Sequence, residues 1–346
     1  MNRALTLTLT PLSLVYRVGI GLRNGLYRSH GFKSYDVGAP VISIGNLTTG
    51  GTGKTPLVEW LVNQLAIDGR RICVLTRGYR RASSGRVIVS DNHRVLSKVD
   101  EAGDEPFLLA RKLVGRAAVI CDPDRVAAAR WAIENLQTEL FVLDDGFQYQ
   151  RIKRQVNIVL IDATNPFGNG WLLPAGDLRE PPSELKRADC VIITRADESG
   201  EVRSLRADVA GLNRNLPIFT SRVTLAAVHA LDKSSIVTGA DRPVFAFCGI
   251  GNPNSFFGLL RRAGYEIVGT REFRDHHKYG QAEIDQLTGD AKKRGAAALF
   301  TTTKDAVKLA SHKFALPCYA AEISLQVDNA EELLRYVSQA ISETIE

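Results

Sequence analysis

From residue 40 onward the chain alternates short apolar runs with helical patterns, and that alternation constrains the fold more than any other feature. "PVISIG" (40–45), "RICVLT" (71–76), "RAAVIC" (116–121), "LFVLDD" (140–145), "VNIVLID" (156–162) and "DCVIIT" (189–194) are rich in β-branched residues and lack a polar alternation. A strand wetted on one face alternates; a strand covered by helices on both faces does not. Between the first two runs, "TPLVEWLVNQLAIDG" spaces Leu57, Leu61 and Leu65 four apart and reaches Gly69, suited to a C-cap. The pattern predicts an α/β fold with a doubly wound, mostly parallel sheet.

A second set of runs follows: "PVFAFCGIGNP" (243–253), "YEIVGT" (265–270), "AALFTTTKD" (297–305) and "CYAAEISL" (318–325). It predicts a second, smaller α/β domain over 241–346. The stretch 216–240 reads as extended segments without a helix, and a hinge is expected there. The larger domain then spans 36–215, and 1–35 forms an N-terminal arm.

The arm holds nearly all of the chain's excess charge. The net charge is +6, and residues 1–35 contribute Arg3, Arg17, Arg23, Arg28 and Lys33 with no acid, which leaves +1 for the rest. A nearly neutral body argues against a nucleic-acid partner, which would need basic residues along a broad face. On a helical wheel Leu12, Val15, Tyr16, Leu22 and Leu26 share one face of the arm, and Arg17, Asn24 and Arg28 point the other way. Arg23 falls on the apolar face, where its long stem would let the head snorkel to lipid headgroups. Two arginines inside the segment make a poor bilayer span, so the pattern fits an amphipathic helix on an anionic membrane surface, or a helix packed on the protein's own core. The five cysteines are scattered, form no C-x-x-C pair and sit in or beside apolar stretches, as buried free thiols do.

"NLTTGGTGKT" (46–55) lies between a predicted strand and a predicted helix. A phosphate-binding loop works in that setting: backbone N–H groups of a glycine-rich turn and a helix N-terminus surround phosphate oxygens. The usual spacing places a glycine where this chain has Thr48. Gly50, Gly51 and Gly53 still allow close backbone approach, Lys54 suits the β- and γ-phosphates, and Thr55 suits Mg²⁺. Thr48, Thr49 and Thr52 complete the loop. "LFVLDD" delivers Asp144 and Asp145 to the ligand edge of the sheet, where a metal-side carboxylate belongs.

Three further stretches keep two readings each. In "GDEP", Asp104 and Glu105 open a helix, as an N-cap or as an ionised carboxylate facing a proton or a metal. "FRDHHKYG" sets His276 and His277 beside Asp275, in a surface loop or near a transferred phosphoryl group; no third ligand stands at zinc-like spacing. "LLPAGDLREPPSEL" carries Arg179 and Glu180, either in a rigid connector or in a loop facing phosphate or metal.

In combination, "GNLTTGGTGKTP", "TRGY", "GDEP", "DDGFQ", "LPAGDLREP", "DHH" and "TKDAVK" resemble the tetraacyldisaccharide 4′-kinases of lipid A biosynthesis, in order from about residue 10 to 310. Tyr149, Asp177 and Thr303 depart from that pattern. The resemblance implies a P-loop NTPase-like fold and a peripheral enzyme on the cytoplasmic face of the inner membrane of a Gram-negative bacterium. ATP with Mg²⁺ would phosphorylate the 4′-hydroxyl of a tetraacylated glucosamine disaccharide 1-phosphate, giving lipid IVA. It implies Asp104 as catalytic base helped by His276, Lys54 on the phosphates, and Thr55, Glu105, Asp144, Asp145 and Glu180 on the metal side. A monomer is expected. Two other readings compete. One is a regulatory GTPase or metallochaperone, since "TRAD" (194–197) approaches a guanine-reading motif with Arg195 in place of lysine. The other is a soluble small-molecule kinase or ligase.

Overall fold

The computed structural model describes residues 3–79, 81–231, 242–309 and 311–343. It forms two compact units, Met1–Arg222 with Val327–Glu346, and Val223–Gln326.

The first unit opens with helix α1 (Arg3–Arg28). Its strands in chain order are β1 (Val41–Asn46), β2 (Ile72–Thr76), β3 (Val87–Ser90), β4 (Ala117–Cys121), β5 (Leu140–Asp144), β6 (Val156–Asp162), β7 (Cys190–Thr194) and the start of β8 (Ile218–Ala230), which from Val223 onward belongs to the second unit. The helices between them are α2 (Lys54–Leu65), α3 (Val99–Ala102), α4 (Asp104–Leu113), α5 (Arg125–Leu136) and α6 (Val202–Leu212). Spatially the strands run β8-β7-β6-β1-β5-β2-β4-β3. The pairings from β8 to β4 are parallel, and β3 closes the edge antiparallel to β4. All six apolar runs are strands buried along their whole length.

That burial has two sources. Alternate side chains such as Phe141, Leu143, Cys73 and Leu75 pack with Val126, Ala128, Ala129 and Ala132 of α5. On other elements, α2 lies against β1 and β5, and α4 against β4. α2 buries Leu57, Val58, Leu61, Val62 and Leu65, each worth about 1.5–3 kcal/mol when withdrawn from water. The helix ends at Leu65; a 3₁₀ turn follows and Gly69 stops it at φ 73°, a left-handed conformation that suits glycine.

Because the strands are parallel, β1, β5, β6 and β7 deliver their carboxyl ends to one edge. β1 lies between β5 and β6, the place where a doubly wound sheet changes direction and leaves a crevice. Gly45 lets the turn after β5 cross β1 closely: a Cβ there would sit 2.5 Å from Phe147 Cβ and 2.6 Å from its backbone nitrogen.

Helix α1 corrects the wheel assignment in three places. Leu12, Val15, Leu22 and Leu26 are indeed exposed, together with Leu14 and Val18. Tyr16, expected among them, turns inward and donates from its hydroxyl to the Arg179 carbonyl, 3.0 Å. Asn24, expected outward, is buried and donates to Glu180 Oε1 at 3.4 Å. Arg23, expected to snorkel, donates to the Gln148 carbonyl and pairs with Glu180 at 3.6 Å. Ser13 Oγ donates to the Leu172 carbonyl, 2.6 Å. The buried Leu172 carbonyl and the buried Glu180 carboxylate need donors, so Ser13 and Asn24 go in while Leu12, Leu14, Leu22 and Leu26 stay out. Among the described residues no helix is long and apolar enough to cross a membrane.

The second unit is built on β9 (Val244–Cys248), β10 (Ile267–Glu272), β11 (Ala298–Thr302) and β12 (Cys318–Val327), ordered β10-β9-β11-β12 with the distal part of β8 beside β12. Helices α7 (Pro253–Arg262), α8 (Gln281–Lys293) and α9 (Thr303–Leu309) complete it. The chain then returns to the first unit with α10 (Ala330–Ser342), where Tyr336 donates to the Asp189 carbonyl at 3.1 Å. The expected 241–346 domain therefore gives residues 327–346 back to the first unit. Of the expected hinge, 218–230 is strand β8, and 232–240 lies outside the described residues. All five cysteines are buried and free.

Candidate active site

At the end of β1, buried Asn46 organises the start of the glycine loop. Its Nδ2 donates to the Thr48 carbonyl at 2.8 Å, and its Oδ1 accepts from Lys54 Nζ at 3.1 Å. Thr49 N donates to the Asp177 carbonyl at 2.7 Å, and Arg179 N donates to the Leu47 carbonyl at 2.7 Å, so the 172–181 loop lies alongside. Asp177 contributes here through its backbone, which any residue with a carbonyl can supply. Gly50 and Gly53 take φ 103° and 86°, and Gly53 is the N-cap of α2. Lys54 and Thr55 open α2, with Lys54 aimed back across the loop.

Lys54 Nζ lies 3.5 Å from Asp145 Oδ1. Arg179 Nη1 reaches both oxygens of the same carboxylate, at 3.0 and 2.8 Å. Burial alone would raise Asp145, but Lys54 and Arg179 outweigh it and hold the group at about 2. Asp144, one residue earlier, is buried and accepts from Thr76 Oγ1 at 3.3 Å. Burial, then the carboxylates of Glu105 and Asp145, push Asp144 up to about 6 against the pull of Lys54 and Arg125. Asp145 itself is left-handed, φ 54°, an uncommon state for a residue with a Cβ that clusters at functional sites.

Asp104 is the first residue of α4, and the cap position goes to Gly103 at φ 88° and ψ 157°. Of the two readings of Asp104, the N-cap is the one that does not hold. Gly103 adopts a backbone that aspartate resists. Glu105 acts electrostatically on Asp144. Lys54, Thr55, Glu105, Asp144 and Asp145 thus gather around one crevice of the first unit.

Glu180 does not join them. It is fully buried, its carboxylate paired with Arg187 and Arg23 and accepting from Asn24. His276 belongs to the second unit, with φ 64°, its N–H donating to the Gly249 carbonyl at 3.3 Å and Nε2 3.7 Å from Asp275 Oδ2. Asp275 also meets Lys304 at 3.0 Å. His277 stacks on Phe273 and pairs with Glu283 at 3.1 Å.

Two arginines of the first unit, Arg125 and Arg154, carry no motif and escaped the sequence reading, and a third, Arg195, was read there only as part of a guanine-reading motif. Arg125, nearly buried, donates to the Asp144 carbonyl at 3.3 Å and lies 4.8 Å over the Tyr149 ring. Arg154 donates to the carbonyls of Gly146, at 3.0 Å, and Tyr149, fixing the turn that carries Asp145. Arg195 contacts the glycine loop. The available signal was position: Arg125 and Arg195 follow the carboxyl ends of β4 and β7.

The residues fit a phosphorylated nucleotide and a divalent cation. Thr52 Oγ1 in the loop and Arg125 Nε are buried without a hydrogen-bond partner, donors that an anion would satisfy. The crowding that lifts Asp144 is the kind of like-charge strain that a cation relieves. Among the described residues no three His, Cys, Asp or Glu side chains close a metal cage. Mg²⁺ needs none, since it is held by one or two carboxylates plus water and substrate phosphate.

A family model described as LpxK, tetraacyldisaccharide-1-P 4′-kinase, matches residues 5–342. A tetraacyldisaccharide 4′-kinase from Desulfotalea psychrophila is 39% identical over 314 residues, 90% of each chain. One from Anaeromyxobacter sp. (strain Fw109-5) is 42% identical over 316 residues, 89% of this chain and 85% of that one. The crystal structure of LpxK from Aquifex aeolicus in complex with ATP is similar at a TM-score of 0.77 and 30% identity, covering 97% of this chain and 99% of that one.

Proposed function

This chain belongs to the tetraacyldisaccharide 4′-kinase family, and on that premise we propose how its residues divide the work of the reaction. The enzyme transfers the γ-phosphoryl group of ATP to the 4′-hydroxyl of a tetraacyl glucosamine disaccharide 1-phosphate, in lipid A biosynthesis. The observation that carries the division of labour is the meeting of Lys54, Asp144, Asp145 and Arg179 beside the glycine loop.

Backbone N–H groups of residues 48–55 hold the phosphates, and Lys54 swings from Asp145 and Asn46 to the β- and γ-phosphates. Thr55, Asp144 and Asp145, with Glu105 beside them, would hold Mg²⁺, which neutralises charge on the transferring group. Arg179 keeps Asp145 ionised and oriented. Asp104, at the first position of α4, accepts the hydroxyl proton, the role that the family resemblance gives it. Little covalent work falls to the protein; positioning and charge neutralisation dominate phosphoryl transfer.

The α1 face of Leu12, Val15, Val18, Leu22 and Leu26, flanked by Arg17 and Arg28, is proposed to rest on the membrane that holds the acceptor. Anionic headgroups on the cytoplasmic side of an inner membrane suit its positive charge.

The deciding experiment is transfer of labelled γ-phosphate to the lipid disaccharide in detergent micelles. Asp104→Ala is expected to lower kcat by about 10²–10⁴-fold with little change in the KM for ATP. A raised KM for ATP with kcat preserved would move Asp104 from base to nucleotide binding.

A further inference from the structure

The "TRAD" turn after β7 resembles a base-reading motif, but its Thr194 and Arg195 side chains meet the phosphate loop. Arg195 is buried and left-handed, φ 54°. Its guanidinium meets Asp162, at the end of β6, with two nitrogens: Nε lies 2.9 Å from Oδ1, and Nη2 pairs with Oδ2. The same Nη2 donates to the Gly51 carbonyl at 2.7 Å. One residue earlier, Thr194 Oγ1 donates to the Thr52 carbonyl at 3.0 Å. Two successive carbonyls of the glycine loop are therefore held from the β6–β7 side.

Asp162 is fixed in turn. Its Oδ1 accepts from Thr164 N at 3.0 Å and Thr164 Oγ1 at 2.8 Å, and Ala163 N donates to the Thr194 carbonyl at 2.9 Å. Both partners are buried, and a forked arginine–carboxylate contact allows little rotation. The loop it holds contains Gly50, Gly51 and Gly53, the residues with the most backbone freedom to lose when a phosphate arrives.

We propose that Arg195, locked by Asp162, and Thr194 are positioning residues for ATP. They hold the Gly51 and Thr52 carbonyls back, so that the loop's N–H groups face the phosphates before nucleotide binds. Successive N–H groups form an anion-binding concavity only in a particular backbone shape, and a loop already in that shape pays less entropy on binding. The inference rests on reading residues 48–55 as the ATP site. Arg195 acts by geometry, because its charge is cancelled by Asp162. Lysine would keep the charge but lose the fork.

The test uses the full chain, with Mg²⁺-ATP titrated calorimetrically and turnover measured on the lipid acceptor. Arg195→Met and Thr194→Val are each expected to raise the Kd and KM for ATP by about three- to tenfold, the range of one lost hydrogen bond. kcat at saturating ATP and the KM for the lipid stay near wild type. Thr194→Ser keeps the hydroxyl and restores wild-type affinity. Arg195→Lys keeps the defect, which separates geometry from charge. Should Arg195→Met not fold, as judged by circular dichroism, the Thr194 pair decides alone. ATP affinity unchanged in folded Thr194→Val or Arg195→Met overturns the proposal, as does full rescue by Arg195→Lys. A wild-type chain that bound no ATP would instead overturn the site reading on which the proposal stands.

Discussion

Glu180 separates two accounts of one carboxylate: the family resemblance puts it on the metal side, and the structure puts it among arginines. It is wholly buried, paired with Arg187 and with Arg23 at 3.6 Å, and accepts from Asn24 at 3.4 Å. Burial raises its pKa even with Arg187 and Arg23 beside it, so the ionised form is costly to hold. Such a pair adds little net stability, yet removing one member strands the other charge. Breaking a buried pair costs about 3–5 kcal/mol. Arg187 retains Glu184 at 2.8 Å, which places Glu180→Ala near the lower end, about 3 kcal/mol. Glu180→Gln keeps a hydrogen-bonding oxygen and should lose about 1–2 kcal/mol. At roughly 2–4 °C per kcal/mol for a unit of this size, the alanine variant should melt about 6–12 °C lower. The assay pairs thermal and urea unfolding with phosphoryl transfer across a Mg²⁺ series. A structural Glu180 predicts lost stability, an unchanged half-maximal Mg²⁺ concentration, and partial recovery in the double variant with Arg187→Met. Wild-type stability with a raised Mg²⁺ requirement would refute the reasoning and return Glu180 to the metal.

Asp144→Asn is expected to stabilise the metal-free protein while abolishing turnover. Its folded pKa of about 6 lies above the ordinary carboxylate value, so wild-type stability falls as pH rises from about 4 through 6. In chelator the variant should match wild type at pH 4 and exceed it by up to about 3 kcal/mol at pH 8, read from urea melts; equal stability at both pH values would refute the assignment. For α1, Val18→Asp with Leu22→Asp should abolish flotation with anionic vesicles and leave the melting temperature in place, since both side chains are exposed. Unchanged flotation would remove the membrane role.

The buried strands were legible because their chemistry is local. A run such as "NIVLID" has no wet face to serve, so it belongs inside a covered parallel sheet wherever the chain goes. The edges were not legible in that way. β3 is four residues long, only half of it buried, and β8 mixes buried and exposed positions over thirteen residues. Helix α1 was misassigned at Tyr16, Arg23 and Asn24 because a wheel sorts side chains by hydropathy alone. The burial of Glu180 and the placement of the Gln148 and Arg179 carbonyls beside the helix, which draw those three inward, are tertiary information.

The same divide explains the site. Residues that would touch phosphate or metal stand in short segments where glycine, lysine and paired aspartates announce themselves, because that chemistry constrains consecutive positions. Residues that hold those segments in place are single arginines whose targets are carbonyls far away in sequence: Arg154 on Gly146 and Tyr149, Arg195 on Gly51. Any backbone offers a carbonyl, so the acceptor leaves no mark in the sequence, and the donor looks like an ordinary surface charge. The backbone does leave one. Asp145 and Arg195 both take positive φ without being glycine, one just after β5 and the other just after β7, at the same edge of the sheet. Strain of that kind persists only where neighbours over-determine it, and here the neighbours are Lys54 and Arg179 in one case and Asp162 and Gly51 in the other. The glycine loop is thus gripped from both sides of β1, through Asp145 on the β5 side and Arg195 on the β6–β7 side. That is why a loop with three glycines can stand in a phosphate-ready shape on its own.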